Sequence, residues 1–243
     1  MNLLIKNVLL HDSIQDIFIQ KGLIDSIGQN LNCEAENVLD GTDKVAIPSF
    51  VNAHTHCAMT LMRSYADDME LRDWLENKIW PFEKNISEQD VYWATRLAII
   101  EMIKSGTTYF NDMYWHYPGT AQAVIDSGIH AHLSSAFIDL GDEETSKKQI
   151  EEQVKLFENR DQFSPNVTFS LGAHSLYTVL ESGLFWLRDF ANEHTLNIHM
   201  HLSETKKEVD EWVQQTGKRP VEYLESIGFL RSEEHTSELQ SRT

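Results

Sequence analysis

Two histidines, His54 and His56, stand one residue apart at the end of an apolar run, in "VNAHTHCAM" (51–59). Along a strand, positions i and i+2 point to the same face, so both imidazoles can be presented to one point, as a divalent metal needs. Far down the chain "HMHLSE" (199–204) repeats the pattern and adds an acid. His201 is the better ligand of that second pair. Glu204, three residues on, could then reach a metal-bound water and carry its proton to a leaving nitrogen. The plainer readings are satisfied histidine pairs and a helix N-terminal acid favoured by the macrodipole. A lone His-x-His would deserve little weight; its recurrence at the ends of two apolar runs favours metal.

The elements that must position these residues follow a strand–helix alternation. "KVAIPSFVNAHTH" (44–56) reads as a buried strand, and Leu71, Trp74, Leu75 and Ile79 fall at helical spacing. Helices are expected over 90–106, with Gly106 as C-terminal cap, and over 119–128, 144–160 and 180–194, with further helical stretches near 206–214 and 219–227. Strands are expected over 107–113, 129–139, 166–174 and 196–204. Residues 1–44 read instead as short strands with a turn at Lys21-Gly22, a β unit too small to stand alone.

Strand–helix repetition is the α/β signature, compatible with a doubly wound sheet or a (β/α)8 barrel. No GxGxxG follows the first strand, and His54, His56, Asp112, His174, His201 and Glu204 all fall at the C-terminal ends of expected strands. That is the rim on which a barrel builds its site. The expectation is an incomplete TIM (β/α)8 barrel, about five of eight units, preceded by the small β unit. The division expected is 1–44, 45–230 and a separate tail, 231–243.

Of the 243 residues 41% are hydrophobic and 24% charged, ordinary for a globular protein able to bury a sizeable core. A formal charge of −18 argues against nucleic acid or anionic membrane as partner. Two cysteines, Cys33 and Cys57, suggest no disulfide framework and fit a reducing compartment. There is no apolar run of membrane-spanning length and no recognisable signal peptide, so a cytoplasmic location is the default. Cys57 reads as a small buried hydrophobe, Trp74, Trp80 and Trp93 as packing residues, and His130 and His132 as structural.

The stretch "PSFVNAHTHCAMTLMRSYADDMELRDWLENKIWPFE" (48–83) closely resembles the amidohydrolase superfamily, and within it the 5′-methylthioadenosine/S-adenosylhomocysteine deaminases. "GTTYFNDMY" (106–114), "LGAHSLYTV" (171–179) and "IHMHLSET" (198–205) are similar to the same family in the same order. The resemblance covers residues 1–230 and implies zinc-dependent hydrolytic deamination of a 6-aminopurine nucleoside, with release of ammonia. By the same resemblance His54, His56 and His201 are ligands of one zinc, and Glu204 is a proton shuttle that also contacts the purine. Glu83 is the carboxylate that holds the ribose hydroxyls, and His174 a substrate contact. Read without it, Glu83 is a solvated acid after Pro81.

The chain departs from the family in several places. An arginine usual in the third strand segment is replaced by Ser135, which leaves the preferred nucleoside open. A later histidine, a metal-binding aspartate and the strands that carry them are absent. "RSEEHTSELQSRT" (231–243) has no apolar period and resembles translated adapter sequence joined to a truncated reading frame. The rival readings are another amidohydrolase (a guanine or cytosine deaminase, or an s-triazine hydrolase) and an inactive metal-binding fragment. A small-molecule substrate is expected in place of macromolecular partners, and a homo-oligomer is compatible with the full-length parent.

Overall fold

The computed structural model describes residues 2–230. The expected tail at 231–243 lies outside the described residues. The chain divides into two compact units, one ending at Ser49 and the other beginning at Phe50.

In the first unit β1 (Asn2–Leu10), β2 (Ser13–Gln20) and β3 (Leu23–Gly28) form an antiparallel meander. Lys21 and Gly22 both take positive φ (52° and 80°), the geometry that lets a two-residue turn match strand twist. β4 (Asn37–Asp40) was not expected: "NVLD" is too short and too exposed to show a period. It is made a strand by parallel pairing with β1, giving the order β3-β2-β1-β4. The buried Asp16 carboxylate accepts the backbone N–H groups of Asn7 (2.9 Å) and Leu31 (3.0 Å), tying a loop to the sheet.

The strand expected over 44–56 is shorter. Val45 makes an isolated parallel bridge to Leu9 in the first unit, and β5 spans only Phe50–Thr55. Pro48, which has no N–H to give a ladder, separates the two.

In the second unit β5, β6 (Thr107–Tyr114), β7 (His130–Phe137), β8 (Val167–Ala173) and β9 (Ile198–Met200) form one parallel sheet in strictly sequential order. A doubly wound sheet reverses its order at a switch point; this sheet never does. It is a half-barrel, a curled sheet with one crossover after another.

After β5 the chain forms α1 (Leu71–Trp74), a π turn over Leu75–Ile79 and α2 (Trp80–Glu83). The long α3 (Glu88–Lys104) follows, started by a capping box in which the Ser87 hydroxyl and the Asp90 carboxylate serve each other's backbone N–H. α4 (Tyr117–Ser127), α5 (Glu143–Glu158) and α6 (Glu181–His194) link the next strands, and α7 (Lys206–Thr216) and α8 (Pro220–Ser226) follow β9. Gly106, at φ +86°, closes the turn after α3, as its place in the sequence predicts.

Phe110, Leu133, Phe169 and Leu171 of the strands pack with Val124 of α4 and Leu184 and Leu187 of α6, all at or near complete burial. A second cluster places Trp74 against Ala58, Met62, Ile79 and Val91. Trp93 corrects the packing expectation: it is 61% exposed, on the outer side of α3. β9 ends at Met200, three residues in all, so His201 and Glu204 lie beyond it in the turn to α7.

Candidate metal centre and active site

The C-terminal ends of three parallel strands, β5, β8 and β9, bring histidines to one place. His54 is on β5 and His56 one residue past it; His174 follows β8 and His201 follows β9. One ligand atom from each of His54, His56 and His201 lies within 4.8 Å of the others.

Hydrogen bonds settle two of the ring tautomers. His56 Nδ1 lies 2.6 Å from the Met113 carbonyl oxygen and His201 Nδ1 lies 2.8 Å from that of His174. A carbonyl only accepts, so both Nδ1 atoms carry the proton and both Nε2 atoms keep a lone pair. Those Nε2 atoms face each other at 3.1 Å. Two lone pairs at that distance repel unless a cation lies near both. Burial pushes His56 down to about 4, which disfavours a proton on its own Nε2 at neutral pH. Imidazole lone pairs converging on one point suit a divalent metal ion.

His174 donates or accepts through Nδ1 with the Thr178 hydroxyl at 2.9 Å, and its ring centroid lies 4.9 Å from that of His201. Burial, then the neighbouring His201 and His56, push it down to about 3. Glu83, at the end of α2, is not the solvated acid its position after Pro81 suggests. It is largely buried, its Oε2 accepts the Trp115 indole N–H at 2.9 Å, and burial raises its carboxyl above the usual range. Glu204 is exposed in the loop after β9 and faces the same cavity. That cavity, about 280 Å³, has His54, His56, His174, His201, Glu83 and Glu204 on its wall, with Trp74, Trp80 and Tyr177 closing its sides.

Ser135 is fully buried in β7, and the cavity wall there is made by Ala136 and Ile138. Cys57 is 1% exposed and its thiol is pushed well up by burial and by the Asp112 carboxylate; its backbone N–H donates to Asp112 at 2.6 Å. His132, expected to be structural, has a buried Nε2 with no partner among the described residues.

Two groups at the site were not singled out from the sequence. Trp115, which holds Glu83, carries no pattern. Glu208 does: Thr205-x-x-Glu208 has the capping-box spacing. Glu208 is 6% exposed, and its carboxylate accepts the backbone N–H of Ser203 (3.0 Å) and of Glu204 (2.8 Å).

Three histidines thus converge at the C-terminal rim of a half-barrel, the place where barrel folds build their sites, and form a candidate metal centre. Residues 45–236 match the Amidohydrolase family, and the chain belongs to that family. It is similar to the 5-methylthioadenosine/S-adenosylhomocysteine deaminase of Thermococcus sibiricus, with 43% identity over 240 residues, 96% of this chain and 57% of that protein. It is also similar to the 5′-deoxyadenosine deaminase of Methanoregula boonei, with 43% identity over 94% of this chain and 53% of the relative. Among solved structures it resembles the zinc-bound adenosine deaminase of Xanthomonas campestris, with a TM-score of 0.85 and 27% identity over 94% of this chain and 55% of that one. The chain thus spans little more than half the length of the relatives it matches.

Proposed function

We propose that the whole protein is a zinc-dependent deaminase of 6-aminopurine nucleosides, acting on adenosine-like substrates altered at the 5′ position. The observation that carries this is one cavity lined by three converging histidines, an exposed carboxylate at Glu204 and a largely buried carboxylate at Glu83. His54, His56 and His201 would hold the metal. When bound, the ion would supply a Lewis acid that lets water attack an aromatic carbon at neutral pH.

Glu204 takes one proton of the attacking water and gives it to a ring nitrogen, then takes the second from the new hydroxyl on the carbon and passes it to the departing amine, which leaves as ammonia while the carbonyl forms. His174, kept neutral by burial, offers a hydrogen bond to charge developing at the reacting carbon without adding a competing positive charge. Glu83 has one oxygen occupied by Trp115 and directs the other to the vicinal ribose hydroxyls, which favours a nucleoside over a free base. Leu71, Leu75, Trp80 and Tyr177 border both the cavity and a wider groove of about 670 Å³, which leaves room for a 5′ substituent.

The test is ammonia release by the protein extended to the length of its relatives, with 5′-methylthioadenosine, 5′-deoxyadenosine and S-adenosylhomocysteine offered in turn. Turnover that is lost with a chelator, restored by zinc and reduced on the order of 10²-fold in Glu204→Gln is expected. Turnover of free guanine or cytosine, with none of adenine nucleosides, would overturn the substrate assignment.

A further inference from the structure

The two His-x-His motifs meet rung by rung. His56 Nε2 lies 3.1 Å from His201 Nε2, and His54 Nδ1 lies 2.7 Å from His199 Nε2, with the same 145-residue offset in both pairs. Only the first rung belongs wholly to the ligand cluster; His199 is outside it. We infer that His199 is a positioning residue, accepting a hydrogen bond from His54 and so fixing the tautomer in which His54 can ligate a metal.

The argument is one of proton count. One of the two nitrogens at 2.7 Å must donate. If His199 donated, neutral His54 would carry its proton on Nε2 and would have no lone pair left for a metal. With His54 Nδ1–H donating, His54 Nε2 is free, matching the Nε2 atoms of His56 and His201. The proton of His199 then sits on Nδ1, which is buried and has no partner among the described residues. His199 lines a separate cavity of about 500 Å³ beside His132, not the one that holds Glu83 and Glu204, so it acts through His54 and not on substrate. Ligating histidines commonly give their second N–H to an oxygen acceptor; here an imidazole takes that place.

This rests on the metal-centre reading, and zinc binding separates the two. The 243-residue chain, and the same protein extended to full length, are titrated with zinc against a chromophoric chelator as wild type, His199→Leu and His199→Asn. Wild type should bind one zinc. His199→Leu keeps bulk but removes the acceptor, and should bind zinc 10- to 100-fold more weakly. His199→Asn, which can offer its amide oxygen, should recover part of that loss. Long-range ¹H–¹⁵N correlation of the zinc form should show His54 protonated at Nδ1. Equal zinc affinity in His199→Leu, or His54 protonated at Nε2, overturns the inference and leaves the metal centre standing. A wild-type chain that binds no zinc overturns both.

Discussion

Removing the Glu208 carboxylate tests whether the turn that carries Glu204 is held from behind. Ser203 sits in the left-handed region at φ 58°, a conformation that costs a non-glycine residue about 1–2 kcal/mol. It is compensated by two charge-assisted hydrogen bonds from the backbone of Ser203 and Glu204 to Glu208, at 3.0 and 2.8 Å. Such bonds contribute roughly 1.5–3 kcal/mol each, part of which water would restore at the partly exposed turn. Glu208→Ala should therefore cost about 2–3 kcal/mol, a fall in Tm of roughly 5–10 °C for a chain of this size. The freed turn would move the Glu204 carboxylate by about an ångström, and kcat would fall on the order of 10- to 10²-fold with zinc content unchanged. Glu208→Gln keeps one acceptor and should lie between. Calorimetry, metal analysis and ammonia release on the full-length protein give the three readings. Unchanged Tm together with unchanged turnover in Glu208→Ala would refute the reasoning.

Acid should destabilise the metal-free fold. His56, His174 and His199 are pushed down to about 4, 3 and 4 from 6.5, so below about pH 6.5 the unfolded chain binds more protons than the native one and stability drops. Asp112, raised to about 7 by burial, and Glu83, also raised by burial, oppose this, while His54 and His132, lowered by burial, add to it. Tm should decline between pH 7 and pH 5, and a flat or rising profile would count against the buried neutral histidines. β5 has a strand neighbour on one side only among the described residues, with Phe50 and Val51 56% and 63% exposed. The chain should therefore self-associate, and Val51→Lys should shift light-scattering mass towards the monomer. Iodoacetamide should label Cys33 well before Cys57, whose thiol is buried and hard to ionise; equal rates on peptide mapping would contradict the structure.

The parallel sheet was legible because its strands are apolar runs separated by helices of ordinary length. β6, β7 and β8 came within one or two residues of their expected ends, as did α3 to α6. What failed was local signal too weak to compete with tertiary pairing. β4 exists only by pairing with β1, β9 is a three-residue strand inside a longer apolar stretch, and Pro48 splits a run that looked continuous. At the site, His54, His56 and His201 could be singled out because strand period and residue chemistry coincide. The burial of Glu83 could not, since nothing in "WPFE" announces that Trp115, 32 residues later, will cover it. His199 was visible as a histidine, but its pairing with His54 needs a third dimension.

The site is braced by buried acids whose carboxylates hold backbone N–H groups. Asp112 on β6 accepts the N–H of Cys57 and fixes the bend straight after His56. Asp139, 2% exposed after β7, accepts from Gly141 and Leu180. Its own N–H binds the Thr178 carbonyl, which pins the loop whose Thr178 hydroxyl holds His174. Glu208 on α7 does the same for Ser203 and Glu204. In each case a carboxylate near or past the C-terminal end of a strand holds backbone of a neighbouring loop or turn, so the loops are set by main-chain hydrogen bonds whatever their outward side chains. That makes the brace independent of the chemistry it supports: wall residues such as Ala136, Ile138 or Tyr177 can change without moving His56, His174 or Glu204. Asp139→Asn tests the separation. It keeps the shape but offers only one accepting oxygen, so it should lower Tm and raise the mobility of the His174 loop in hydrogen exchange, while zinc affinity at His54, His56 and His201 stays put. A loss of zinc affinity equal to that of a ligand substitution would show that brace and metal centre are one unit.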